Sequence, residues 1–115
     1  MTELVNLTPH DIVVVVDNDD EVEIVRIPPS GTVARVRAEQ KKVSEVNGIP
    51  VVRTEFNEIT GLPEPRKDVI YIASTLVAQA ANKQGRYDVV APDTGPSAIR
   101  DEHGNILAVK RFQVF

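Results

Sequence analysis

The sequence predicts an α+β protein, predominantly antiparallel β, in which short strands form a small barrel or sandwich beside one helix. Three observations predict this class. Short β-branched runs recur along the chain and are separated by clusters of Gly, Pro, Asn and Asp. Only one stretch, at about 74–82, carries apolar residues at helical spacing. A length of 115 residues is typical of one domain, so we expect a single β-rich domain over residues 1–115.

The strongest strand signals lie in the first half of the chain. Ile12–Val16 is an unbroken β-branched run, which is typical of a strand buried on both faces or at the centre of a sheet. An alternating strand over 21–27 completes a hairpin with it. A second hairpin is centred on Asn47-Gly48, the dipeptide most typical of a two-residue turn. Its strands are predicted over 43–46 and 49–56.

The centre of the chain predicts a strand, a helix and another strand. Val69–Ala73 is a β-branched and aromatic run bounded by turn residues. Ser74 follows as the N-cap, because its hydroxyl can accept a hydrogen bond from an unpaired amide of the first helical turn. Gly85 favours a left-handed helix end. With a strand at 87–90 these elements predict a small right-handed crossover. Further strands are predicted over 4–7, 32–37 and, as a final hairpin, 98–100 and 106–112.

The composition excludes several classes of function. Thirteen Lys and Arg stand against seventeen Asp and Glu, a net charge of −4, which argues against nucleic acid as a partner. The chain has no cysteine, so disulfides and thiolate metal sites are impossible. It has neither an apolar run of membrane-spanning length nor a signal-peptide pattern. We therefore expect no membrane partner and no secretion by a signal peptide.

Motifs of known chemistry fail on their context. Asp93-Thr94-Gly95 matches the catalytic triplet of aspartic proteases, but Pro92 and Pro96 frame it as a turn. The acidic run 17–21 resembles the start of a calcium loop but lacks the glycine and the final glutamate that such a loop requires. The two histidines have no second ligand at metal-binding spacing. We therefore expect no metal, no cofactor and no catalytic residue.

Arginine is the residue type that favours a ligand. Arg35 and Arg37 share a predicted strand face, and guanidinium groups bind phosphate or carboxylate with two parallel hydrogen bonds. The amides that follow Ser74 form a second potential anion site. The open alternative is a solvated sheet face, on which acidic side chains balance the arginines. The predicted ligand-binding residues are Arg35, Arg37, Arg53, Ser74, Asp93, Thr94 and Arg100.

Four segments in the same order also carry a family resemblance. They are 6–10 (NLTPH), 27–36 (IPPSGTVARV), 61–65 (GLPEP) leading into 70–74 (IYIAS), and 91–96 (APDTGP) leading into 100–102 (RDE). The chain resembles a group of small uncharacterised proteins encoded by tailed bacteriophages, prophages and some bacterial genomes. The resemblance implies an accessory protein that acts in the host cytoplasm or in the virion.

The function predicted from these observations is a non-enzymatic binding module. Its loops 8–10, 28–31, 61–66 and 92–97 would meet a host protein, a virion protein or a small anionic ligand. A homo-oligomer is predicted because Ile12–Val16 must be paired or covered. One alternative is a structural accessory protein of the virion. A second is a metal-dependent nucleotide or phosphoryl hydrolase that uses Arg35, Arg37, Glu58 and Asp93.

Overall fold

The computed structural model describes residues 2–115, which form ten strands and one helix. Strands and helix alternate only in the centre of the chain, as the sequence predicts. The elements are β1 (Glu3–Asn6), β2 (Ile12–Asn18), β3 (Glu21–Ile27), β4 (Arg35–Val46), β5 (Ile49–Thr60), β6 (Val69–Ile72), α1 (Thr75–Lys83), β7 (Val89–Pro92), β8 (Ile99–Arg100), β9 (Ile106–Ala108) and β10 (Phe112–Gln113).

A four-stranded sheet forms the centre of the molecule, in the order β1-β6-β7-β10. β6 pairs in parallel with β1 and with β7, whereas β10 pairs antiparallel with β7. The β6–α1–β7 unit is therefore a crossover between parallel strands, in the position that the sequence predicts. Its helix begins after Ser74, whose hydroxyl accepts a hydrogen bond from the Val77 N–H, and it is followed by Gly85 at a φ of +86°.

The central sheet packs between the helix and a hairpin, because successive side chains of a strand point to opposite faces. Tyr71 and Ala73 pack on the helix side with Val77 and its neighbours. Ile72 points the other way and packs with residues of the β2–β3 hairpin, including Ile12. The two apolar clusters thus lie on opposite faces of one sheet.

The hairpin of β4 and β5, hereafter the arm, extends away from this body. Each strand has twelve residues, which corresponds to a length of about 40 Å at roughly 3.3 Å per residue. The radius of gyration is 16.6 Å, whereas a compact chain of this size has about 13 Å. Asn47 and Gly48 both have positive φ, at 51° and 78°, and close the tip with the predicted two-residue turn.

The structure corrects four expectations about the strands. The strands of residues 2–115 do not close into a barrel, since they form four separate sheets. Segments 32–37 and 43–46 are not separate strands, because Arg35–Val46 runs continuously through two irregularities in register. Strand 106–112 is divided, and Phe112 leaves the final hairpin to pair with β7. The strand expected at 87–90 is shifted to Val89–Pro92.

Ile12–Val16 is not fully buried on both faces, which was one of the two alternatives that the sequence left open. Ile12 and Val14 are buried, whereas the alternate residues Val13 and Val15 are only half-buried. The outer edge of β2 is occupied as well, since the Val15 N–H donates to the Val109 carbonyl at 2.9 Å and the Val109 N–H donates to the Val13 carbonyl. No helix within residues 2–115 has the length and apolarity needed to cross a membrane.

Candidate binding surface

Two of the predicted ligand-binding residues come together in a cleft of about 200 Å³. Arg35 and Ser74 both line it, together with Thr8, Leu76 and Val77. The cleft lies where β1 and β6 end and α1 begins, an edge at which loops of neighbouring parallel strands meet. No acidic residue occupies the first turn of the helix. The grouping of Arg35 with Ser74 is thus a feature of the fold, while anion binding there remains a prediction.

The predicted partners Arg37 and Arg53 lie elsewhere. Arg37 falls in the irregularity between Val36 and Ala38, and Arg53 lies opposite Lys41 farther out on the arm. Lys41 forms an ion pair of 3.0 Å with Glu55, and this hydrogen bond raises the pKa of Lys41 above its ordinary value. The arginines that the sequence groups on one patch are therefore spread along the arm.

Asp93, Thr94 and Arg100 form a third group, in which polar atoms already have partners. The Arg111 guanidinium donates to Asp93, and the Gly95 N–H donates to the same carboxylate at 3.0 Å. Both hydrogen bonds hold the pKa of Asp93 below its usual range, and the one from Arg111 has the larger effect. Arg100 donates to the carbonyls of Thr94 and Gly104, each at 2.8 Å. The side chains of Asp93 and Arg100 thus hold the 92–97 loop in place.

The loop that follows β1 is held by a buried asparagine. The Asn6 side chain donates to the carbonyls of His10 and Ile27 and accepts hydrogen bonds from the N–H and hydroxyl of Thr8. The Ser30 N–H donates to the Asn6 carbonyl at 2.9 Å. Loops 8–10 and 28–31 are therefore tied to each other, and their sequence patterns have a structural explanation.

The sequence did not predict a second concave surface, which lies beside the helix. It is a groove of about 590 Å³ between the arm and the helix, hereafter the arm groove. Its apolar wall consists of exposed or half-buried side chains, and Lys83 places its ammonium 5.3 Å from the centre of the Phe56 ring. The residues that line the arm groove are Thr54, Phe56, Leu76, Gln79, Asn82, Lys83, Tyr87 and Phe115.

The apolar surface of the groove continues onto the arm. Pro50, Val52, Thr54 and Phe56 alternate along β5 and so lie on one face of it, since the register shift opposite Val51 and Val52 places its extra residue, Val43, in β4. The opposite face carries other aliphatic side chains of the tip, of which Ile49 is 65% exposed. The exposed aliphatic residues of the arm are Val43, Val46, Ile49, Val51 and Val52.

A sequence signal for this surface exists in retrospect. Val51 and Val52 are adjacent, so a strand that contains them is apolar on both faces. Such a pattern ordinarily indicates a strand buried in a sheet, which agrees with the predicted barrel or sandwich. In the structure both residues belong to a two-stranded arm and are exposed. Within residues 2–115 no other part of the chain covers these two side chains.

The arrangement does not resemble a hydrolytic centre. Asp93 and Arg35 line different surfaces, and Glu58 is an exposed residue of the arm. Within the described residues no group of three His, Asp or Glu side chains is close enough to share a metal ion. Comparisons of the chain with protein-family models, with curated proteins and with solved structures find no match, so the interpretation of this surface depends on its geometry.

Proposed function

We propose that this chain is a non-enzymatic binding module whose partner is a protein, bound through the arm and the arm groove. One observation carries the proposal: a two-stranded arm exposes aliphatic side chains on both faces and has at its base a groove with one apolar wall. An isolated two-stranded hairpin has marginal stability in water. Exposed, contiguous apolar surface of this kind is typical of protein interaction sites.

The resemblance to phage and prophage proteins supports an accessory role for such a module. A host protein or a virion protein would then meet the arm, and the protein would act in the host cytoplasm or in the particle. A structural role in the virion is the second candidate, and the same arm favours it, since an arm that extends from a compact body is able to reach a neighbouring subunit. Purified particles would contain the protein only in the second case.

Lysine positions make the proposal testable by cross-linking. Lys41, Lys42 and Lys83 lie on the arm or beside its groove, whereas Lys67 and Lys110 are exposed elsewhere. We would treat producing cells with an amine-reactive cross-linker and identify the linked lysines by mass spectrometry. Links from the first three lysines to another polypeptide are expected. Links that involve only Lys67 and Lys110 would contradict the proposal.

A matched pair of variants provides the control. Val52→Asp puts a charge on the arm, whereas Val22→Asp makes the same change at an exposed strand position of the β2–β3 hairpin. We expect Val52→Asp to abolish the cross-links from the arm lysines and Val22→Asp to preserve them. Equal loss in both variants would indicate a general effect on folding and would remove the support for the arm.

A further inference from the structure

We infer that the partner of the arm is a second copy of this chain, in a two-fold dimer where each arm tip enters the other copy's arm groove. This inference rests on the proposed function and adds the identity of the partner. It starts from the spacing of side chains on one face of β5. Phe56 lies in the arm groove, and Pro50 lies six residues away toward the tip, a distance of about 20 Å along the strand.

A two-fold axis between Val52 and Thr54 makes this face complementary to itself. Antiparallel packing of two arms about that axis sets Pro50 of one copy against Phe56 of the other, and Val52 against Thr54. The tip of each arm then points toward the body of the other copy, where Leu76, Tyr87 and Phe115 form the apolar wall of the groove. Because both copies use the same face, the interface is complete with two chains and the assembly closes as a dimer.

Insertion explains why the arm tip is apolar on both faces. Ile49 and Val51 lie on the face opposite Pro50 and Val52, and all four are exposed. Contact along one face alone would leave the other pair in water, at a cost that grows with the apolar area exposed. A tip that enters a groove has both of its faces covered. The groove volume of about 590 Å³ is within the range of roughly 300–1,000 Å³ that is typical of ligand-binding pockets.

One pair of opposite charges, Glu45 and Lys83, also meets between the two copies. Glu45 lies directly opposite Pro50 in the arm ladder, so the two-fold arrangement carries it to Phe56 of the other copy. The Lys83 ammonium is at that ring and forms no ion pair within residues 2–115. Glu45 is 51% exposed and pairs only with Lys42 within the described chain. The dimer thus brings the Glu45 carboxylate to a Lys83 ammonium that has no ion-pair partner within residues 2–115, once on each side of the axis.

Sedimentation equilibrium of the full chain over a concentration series tests this arrangement. The wild-type chain is expected to reach twice the chain mass at a plateau. Glu45→Lys and Lys83→Glu should each weaken the dimer roughly tenfold, because symmetry places each like-charge contact twice in the dimer. The double variant Glu45→Lys/Lys83→Glu should recover the wild-type dissociation constant. Glu21→Lys, which makes the same charge change on the β2–β3 hairpin, should leave it unchanged.

Three results would overturn the inference. They are a chain that stays monomeric at every concentration, a dimer that neither single variant weakens, and a double variant no tighter than the single ones. Continued growth beyond the dimer would likewise contradict a closed two-fold interface. A monomeric chain whose arm lysines still cross-link to a different polypeptide would overturn self-association and leave the proposed function standing. Circular dichroism of each variant establishes that the fold is retained.

Discussion

The backbone N–H of Phe115 donates a hydrogen bond of 2.6 Å to the side-chain oxygen of Asn82. The amide nitrogen of the same side chain donates to the carbonyls of Arg86 and Val89, at 2.9 and 3.1 Å. Asn82 is 3% exposed, so all three backbone groups depend on a side chain that water does not reach. One helical residue thereby positions both Phe115 and the turn that follows the helix, beside the arm groove.

Asn82→Ala should therefore destabilise the protein by about 3 kcal/mol. Each buried polar group left without a partner costs about 1–3 kcal/mol, and the truncation leaves the buried Val89 carbonyl and two partly buried backbone groups, those of Arg86 and Phe115, without this partner. Urea denaturation would measure the loss. Asn57→Ala, the same change at an exposed position of the arm, should alter stability by less than about 0.5 kcal/mol. Equal stability of the two variants would show that the Asn82 contacts contribute nothing.

Gly61→Ala should be more costly than Gly48→Ala. The two glycines have nearly the same φ, +79° and +78°, so an added methyl group causes similar backbone strain at both. At Gly61 that methyl would also collide with the Val33 carbonyl, whereas at Gly48 it meets nothing. We expect losses of about 1 kcal/mol at Gly48 and at least roughly 2 kcal/mol more at Gly61, from thermal unfolding. Equal losses would contradict the close approach at Val33.

The ion pair of Arg86 and Asp88 should make stability depend on pH in acid. Two hydrogen bonds of 2.9 and 3.0 Å join the groups, and Arg86 also donates to the Pro63 carbonyl. The Arg86 hydrogen bond holds the pKa of Asp88 below its ordinary value. Because the folded pKa is depressed, the contribution is complete above the unfolded pKa, about 3.9, and is lost as pH falls through the folded pKa.

Asp88→Asn removes the titrating group and tests that dependence. The variant should be less stable than wild type by roughly 1–3 kcal/mol at pH 7, and the difference should shrink as pH falls below about 4. Denaturation curves at several pH values would measure it. Asp20→Asn, at an exposed turn, should keep the wild-type dependence. A constant difference between Asp88→Asn and wild type from pH 7 to pH 2 would contradict the assignment.

The helix cap predicts a graded series at Ser74. Its hydroxyl accepts the hydrogen bond of the Val77 N–H at 3.3 Å, so Ser74→Ala should cost about 1 kcal/mol. Ser74→Asp should keep the stability, because a carboxylate also caps the helix and favours the positive end of its dipole. Ser44→Ala, at an exposed position of the arm, is the control. If urea denaturation gives Ser74→Asp the same free energy of unfolding as Ser74→Ala, the side-chain cap does not contribute to stability here.

Local signals predicted the local elements of this fold. The helix starts beside Ser74 and the turn lies at Asn47-Gly48 because side-chain caps and positive φ are decided within a few residues. The pairing of β1 with β6 was not predicted, since alternation of side chains does not tell which distant strand is adjacent. For the same reason the sequence did not predict that residues 2–115 would leave the barrel open and place the central sheet between a helix and a hairpin.

The candidate binding surface was likewise predictable only where it depends on local sequence. Arg35 and Ser74 lie in one cleft, yet the sequence grouped Arg35 with Arg37 and Arg53, which lie along the arm. The register irregularity at Arg37 has no signature in a simple alternating pattern. The arm groove combines residues from β5, α1 and the segment after β10, so only the tertiary structure brings them together.

The position of β1 also sets the order in which the sheet can be completed. Glu3 pairs with Val69, so β1 leaves the ribosome well before its partner strand exists. At about 5–20 residues per second, this interval is roughly 3–13 s, during which both long hairpins can pair within themselves. Synthesis therefore produces a chain whose first strand is incorporated after its middle has folded. Only Leu4 and Val5 are apolar in β1, so before it pairs with β6 this strand exposes little apolar surface through which partly synthesised chains could aggregate.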